Sequence, residues 1–274
     1  IVGDKEIHYT NDGGNTWKYP IRESEGTGNK GFSDDIKVTT NGLVVASVGN
    51  EPYLSPDGDT AVAITAISDN GGYAQLTFAS NHNFKVNQRI FISGTAIPSK
   101  YKERQIVRSV PDAVSVVLEK TDTSLTVSGY ASSWISLSST TDTIYVMDYS
   151  GAIRIEWAVC STDPNYVYAS IAGPDRSLLY LYQSKDAGKT WNDLGMNLNL
   201  GDQGDYDNAL GVYPDNCNKV IVGYVQMAHN KYGAWDFHSV NFDPTGDGTS
   251  YVHADKHAIV FNPERSWFCR IVVF

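Results

Sequence analysis

The sequence predicts an all-β fold, assembled from repeated four-stranded units and interrupted by a small inserted β-domain. Three observations carry that expectation. Thr10-Asn11-Asp12-Gly13-Gly14-Asn15-Thr16-Trp17 and Ser184-Lys185-Asp186-Ala187-Gly188-Lys189-Thr190-Trp191 fit one template: a hydroxyl residue, any residue, Asp, any residue, Gly, any residue, Thr, Trp. A phrase repeated in this way marks an internal repeat. The chain holds 17 Tyr, 6 Trp and 24 Gly, which leans towards strands and tight turns. Short alternating apolar runs also recur between turns rich in Gly, Asn, Asp and Pro.

The template makes sense as a hairpin turn. Asp12 accepts hydrogen bonds from backbone N–H groups inside the turn, and Gly14 supplies a positive φ. Thr16 opens the return strand, and Trp17 is expected to plug a neighbouring sheet. Before it stands Ile7-His8-Tyr9; after it, Trp17-Lys18-Tyr19. A Gly/Ser/Asn-rich loop follows from Ser24 to Ser33. Asp35-Ile36-Lys37-Val38 and Leu43 to Val48 then flank Asn41-Gly42, a strong hairpin signal. Tyr53-Leu54-Ser55-Pro56-Asp57-Gly58-Asp59-Thr60 reads as a damaged third copy. It lies 45 residues after the first (55 − 10), about one four-stranded blade.

That copy never reaches its Trp. A stretch of different texture runs instead from Ala63-Ile64-Thr65-Ala66-Ile67 to about Gly129-Tyr130, with turns expected at Asn70-Gly71-Gly72, Ser93-Gly94 and Pro111-Asp112. Ser132-Ser133-Trp134 then reads as the end of the interrupted copy. The expected organisation is therefore 1–61 as first blades, 62–130 as a small β-domain inserted in a turn, and 131–274 as further blades. Within the last part, strands are expected at Thr143–Met147, Arg154–Val159, Tyr166–Ser170 and Leu178–Tyr182. Others follow at Asn208–Val212, Lys219–Gly223 and His257–Phe261. The phrases Asp163-Pro164-Asn165 and Pro214-Asp215-Asn216 form turns between them. With the insert removed, roughly 204 residues remain, about four blades of 40–50 residues. The chain opens at Ile1 without Met and closes on the apolar run Ile271 to Phe274, which reads as a fragment whose ring is incomplete.

Composition excludes some classes of function. A formal charge of −10 would repel a nucleic-acid backbone. No apolar run approaches the roughly 18 residues of a spanning helix, so membrane insertion is not expected. Cys160, Cys217 and Cys269 show no metal-ligand spacing; the preferred reading is small core hydrophobes, with one disulfide and a leftover thiol as the alternative.

The repeated turn resembles the Asp-box, or bacterial neuraminidase repeat, of a β-propeller superfamily. That superfamily includes sialidases, xyloglucan-cleaving glycosidases, the sortilin luminal domain and a photosystem assembly factor. The resemblance covers roughly 1–60 and 131–274 and implies an Asp-box β-propeller, incomplete in this chain. It also implies that the box residues are structural and peripheral: Thr10, Asp12, Gly14, Thr16 and Trp17; Ser55 and Asp57; Ser184, Asp186, Gly188, Thr190 and Trp191. The inserted stretch, through Ile67-Ser68-Asp69-Asn70-Gly71-Gly72 and Val86 to Thr95, resembles small β-modules of phage tail and bacterial surface proteins.

Activity is less legible. The Arg-Ile-Pro signature of sialidases is absent, Pro20-Ile21-Arg22 being its reverse, and the eight arginines form no obvious trio. A xyloglucanase-like mechanism needs two facing carboxylates. Asp205 and Asp207, in Asp202-Gln203-Gly204-Asp205-Tyr206-Asp207-Asn208, are candidates because that loop precedes a blade's first strand; a solvated, self-capped turn is the preferred reading. His253, Asp255 and His257 alternate at period two, so all three share one face of a strand. Two imidazoles and a carboxylate suit zinc, yet a hydrogen-bonded structural cluster is preferred, so no metal and no cofactor are expected. Tyr206, Trp235, Asp236, His238, His253, Asp255 and His257 remain ligand-binding candidates, the aromatic and carboxylate mixture that sugars require. Trp157 and Tyr232 belong to the same mixture. The function expected is extracellular, cell-surface or virion recognition of a glycan or another surface ligand, within a larger chain or homo-oligomer. The alternatives are a glycoside hydrolase and a sortilin-like protein-binding scaffold.

Overall fold

The computed structural model describes residues 2–3, 6–10, 13–22, 35–48, 50–55, 62–87, 89–93, 103–119, 129–132, 135–136, 147–194, 198–231, 234–238, 256–262 and 265–272. Among them every regular element is a strand, and all the strand pairs are antiparallel. Two compact units emerge. One holds 1–28 and 53–137, the other 29–52 and 138–274.

In the first unit, β1 (Val2–Gly3), β2 (Glu6–Tyr9) and β3 (Lys18–Arg22) form a three-stranded sheet. The turn between β2 and β3 is the first box. Gly14 N–H donates to Thr10 Oγ1 at 2.9 Å, and Gly13 and Gly14 take φ of 72° and 93°. Asp12 lies outside the described residues. Trp17 is 39% exposed, and the return strand begins only at Lys18.

In the second unit β4 (Ile36–Val38) and β5 (Val44–Val48) form the expected hairpin, with Gly42 at φ 89°. The chain enters the first unit along β6 (Glu51–Ser55). A closed six-stranded barrel follows: β7 (Val62–Asn70), β8 (Tyr73–Phe78), β9 (Arg89–Ser93), β10 (Glu103–Asp112), β11 (Ser115–Leu118) and β12 (Gly129–Ser132). The strict alternation of β8 sends Ala74, Leu76 and Phe78 inward. They join Ile64, Ile90, Ile92, Val107, Val116 and Leu118 in one core. One expected turn moves. Pro111-Asp112 closes β10, and the turn falls on Ala113-Val114, where Asp112 Oδ1 accepts Val114 N–H at 2.8 Å. Beyond the barrel, β13 (Ile135–Ser136) returns to pair with β6, Ile135 opposite Leu54. Asp57 and Trp134 lie outside the described residues. Ser55 is buried at the end of β6.

The rest of the second unit holds two four-stranded sheets in sequence order. The first is β14 (Arg154–Val159), β15 (Val167–Ala172), β16 (Leu178–Ser184) and β17 (Asn192–Asp193). The second is β18 (Ala209–Val212), β19 (Val220–Gly223), β20 (Met227–Lys231) and β21 (Ala234–His238). β22 (Ala258–Asn262) pairs with β23 (Arg265–Val272). The first strands stand side by side: β14 lies against β4 and β18, and β18 against β22. A shared core of Ala158, Tyr168, Leu181, Leu210, Val222 and Tyr224 joins the two four-stranded sheets.

The second box, between β16 and β17, shows how the template works. Ser184 Oγ accepts Gly188 N–H at 2.8 Å, the same bond Thr10 makes in the first copy. Asp186 Oδ1 accepts Ser184 Oγ at 2.9 Å and Thr190 N–H at 2.9 Å, while Oδ2 accepts Thr190 Oγ1 at 2.6 Å. Those bonds hold the Asp186 carboxyl below its usual range against the opposing effect of burial. The template's second free position takes a positive φ, with Gly13 in one copy and Ala187 at 60° in the other. Asp186→Ala removes three acceptor contacts from the turn; a loss of about 1–3 kcal/mol in urea unfolding is expected.

The preferred reading of the cysteines is corrected. Cys160, just after β14, and Cys217, between β18 and β19, form a disulfide with Cα atoms 5.4 Å apart. Three cysteines allow three pairings, and the chain does not show which sheets are neighbours. Cys269 lies in β23.

Candidate functional site

Polar side chains stand on or just before each of the four adjacent first strands of the second unit. β4 brings Asp35 and Lys37, β14 brings Arg154 and Glu156, the loop before β18 brings Asp205, Tyr206 and Asp207, and His257 precedes β22. Period-two alternation explains β14. Ile155 and Trp157 are buried on one face, which leaves Arg154 and Glu156 on the other.

Arg154 is the hub. Its Nη1 donates to Tyr206 O at 2.6 Å and to Asp205 O at 3.4 Å; Nη2 donates to Asn208 O and to Glu156 Oε2, each at 3.4 Å. The loop is pinned elsewhere too. Gly204 N–H donates to Arg176 O at 2.7 Å, and Asn208 Nδ2 to Ser170 O at 3.2 Å. Gly204 is required by close approach, since a Cβ there would stand 2.3 Å from Tyr224 Cε1 and 2.7 Å from Arg176 O. The loop is a turn bonded within itself, Gln203 O accepting Tyr206 and Asp207 N–H, and is anchored further by a guanidinium and two backbone carbonyls of the preceding sheet.

The sequence candidates separate under this geometry. Tyr206 is 57% exposed, with its ring edge-on to His257 at 4.5 Å. Asp205 is half-exposed and faces Arg176 Nη1 at 3.9 Å. Asp207 is fully buried, its Oδ1 3.8 Å from His257 Nε2. Trp157 is likewise fully buried, near Trp191 at 6.0 Å. Trp235, Asp236 and His238 lie on β21, at the opposite edge of its sheet from β18, about 14 Å away by strand spacing; their side chains are outside the described part. His253, Asp255 and Tyr232 lie outside the described residues. Among the described residues no group of three His, Cys, Asp or Glu side chains is placed to hold a metal ion.

Sequence reasoning missed the neighbouring charges. Asp35 Oδ2 accepts Trp157 N–H at 2.8 Å and Asp35 Oδ1 pairs with Lys37, whose Nζ is also 3.8 Å from Glu156 Oε1. The Glu156 side chain is only 17% exposed. Its burial first, and then Asp35, raise its carboxyl to about 7, with Lys37 and Arg154 opposing. A shifted carboxyl at a strand entry is a site signal. The available cue was the alternation Asp35-Ile36-Lys37 and Arg154-Ile155-Glu156, but the contact of β4 with β14, which stand in different sheets, spans more than a hundred residues of chain.

No family model and no curated protein matches the chain. Among solved structures it is similar to the phage phi92 endosialidase, at 12% identity and a TM-score of 0.33 over 85% of this chain and 42% of that one. It is also similar to a Niastella koreensis GH74 enzyme, at 15% identity and a TM-score of 0.25 over 92% of this chain and 30% of that one. The chain thus spans less than half the length of either. What the chain itself establishes is an all-β architecture of antiparallel sheets and a barrel, with a polar site at the entry of four adjacent strands.

Proposed function

We propose that this chain is a glycan-recognition module of the Asp-box propeller type, in which the antiparallel sheets are blades and the barrel is an inserted domain. The observation that carries the reading is Tyr206. An exposed aromatic ring, braced by His257 on a loop fixed at both ends, is the platform on which a sugar face stacks, and Asp205 beside it offers hydrogen-bond acceptors. The side-by-side first strands support a propeller, since blades radiate from such a ring. The Cys160–Cys217 bridge supports an extracellular or virion setting, where disulfides persist.

The test is an immobilised panel of β-glucan oligosaccharides and sialosides. Tyr206→Ala is expected to weaken the strongest binder by about tenfold or more, the loss of one stacked ring. Binding that is unchanged by the substitution sinks the platform reading. One observation favours a hydrolase as the second reading: Glu156, with its carboxyl at about 7, is partly protonated at neutral pH, the state a general acid requires. Hydrolysis of the same panel, lost in Glu156→Gln or Asp205→Asn, would support it; silence with retained binding leaves recognition alone.

A further inference from the structure

We infer that Arg154 is a positioning residue shared between the loop 205–208 and Glu156, and that the loop is held tightest when Glu156 makes the smaller demand on it. For ligand binding the consequence rests on the Tyr206 platform proposed above; for the loop it rests on geometry alone. One guanidinium serves four acceptors. Its shortest bond, 2.6 Å, goes to Tyr206 O, while the Glu156 carboxyl stands back at 3.4 Å. A guanidinium donates in a fixed planar fork, so a closer approach to Glu156 draws it away from the loop carbonyls.

The charged and titratable groups facing Glu156 decide what changes its demand. Asp35 and Lys37 face it from β4, and Lys37 is already committed to Asp35. Arg154 faces it from its own strand, and Tyr224, fully buried after β19, lies within electrostatic reach. Lys37, bonded to Asp35 and 3.8 Å from Glu156 Oε1, and Arg154 both answer a negative charge on Glu156, and Arg154 is the one of the two that also holds the loop. The protonated carboxyl leaves Arg154 on the loop. The carboxylate attracts it, and loop opening would also bring water to the buried charge. Both effects have one sign: rising pH through neutrality loosens the loop. The raised carboxyl of Glu156 places that change near pH 7.

The experiment is amide hydrogen exchange of peptides covering 203–208 at pH 6 and pH 8, corrected for intrinsic exchange. Gly204 N–H is bonded to Arg176 O of the preceding sheet, and Tyr206 and Asp207 N–H to Gln203 O within the loop, so the three amides report its opening. The wild-type protection factor is expected to fall about threefold or more from pH 6 to pH 8, the scale of one partly exposed ion pair. Glu156→Gln should keep the pH 6 protection at both values. Arg154→Met should be low at both, with Arg154→Lys recovering part of the loss. Flat wild-type exchange overturns the inference, and so does a Glu156→Gln profile that tracks the wild type. Glycan binding measured on the same proteins separates the two claims: loss of pH-dependent exchange defeats the role of Arg154, whereas binding indifferent to Tyr206→Ala defeats only the platform.

Discussion

Reduction of the Cys160–Cys217 bridge is expected to lower the melting temperature by about 10 °C. The bridge closes a loop of 57 residues in sequence separation. In the chain-entropy account a cross-link of that span removes about 4 kcal/mol of unfolded-state freedom, and a domain of this size shifts by about 2–4 °C per kcal/mol. The native environment is well fitted to the bond. Cys160 is buried, Thr162 Oγ1 lies 3.3 Å and 3.4 Å from the two sulfurs, and Tyr168 OH donates to Cys217 O at 2.5 Å. The bond ties the exit of β14 to the connection after β18, while Arg154 ties the entries of the same two strands. Calorimetry with and without a phosphine reductant measures the shift, and Cys160→Ala/Cys217→Ser should reproduce it without reductant. A reduced protein that melts with the oxidised one would show that sheet packing alone sets the stability.

Glu156→Gln is expected to stabilise the protein above neutral pH and to flatten its pH dependence. The Glu156 carboxyl is raised from 4.5 to about 7 by burial and by Asp35. The folded state therefore binds more protons than the unfolded state between those values, and stability falls as pH rises across them. The contribution is fully present below about pH 4.5 and is gone above about 7. Taken at face value the shift corresponds to about 3 kcal/mol, and relaxation of the site reduces it. Glutamine keeps the shape and an acceptor for Arg154 without the charge. Urea unfolding of both proteins at pH 5, 6, 7 and 8 should give curves that diverge with rising pH, with the variant higher at pH 8. Parallel curves would place the titrating group elsewhere.

Local chemistry made much of the fold legible. The Asn41-Gly42 hairpin, the strand Arg154–Val159 and the two box turns follow from short-range rules, because a positive φ or a period-two face is a property of a few consecutive residues. The hydroxyl at the head of the box was read as part of a pattern, whereas its work is to accept the glycine N–H four residues on. What stayed hidden depends on neighbours distant in sequence. Asp207 was a candidate acid in a loop read chiefly as a solvated turn, and its full burial 3.8 Å from His257 depends on a strand fifty residues further on. Glu156 drew no notice because its shift arises from β4 and from burial, neither of which is written near residue 156. Tyr206 was legible as an aromatic between two acids; its exposure was not.

The barrel has one consequence beyond its own packing. The strands that lead into and out of it are partners at two levels: Leu54 faces Ile135 below it, and Val62 faces Ala131 inside it. Its ends are therefore only about 5 Å apart, one strand spacing. A segment with coincident ends behaves as a cassette. On the inserted-domain reading proposed above, the barrel is expected to be removable at that junction without shifting the register of β6 against β13.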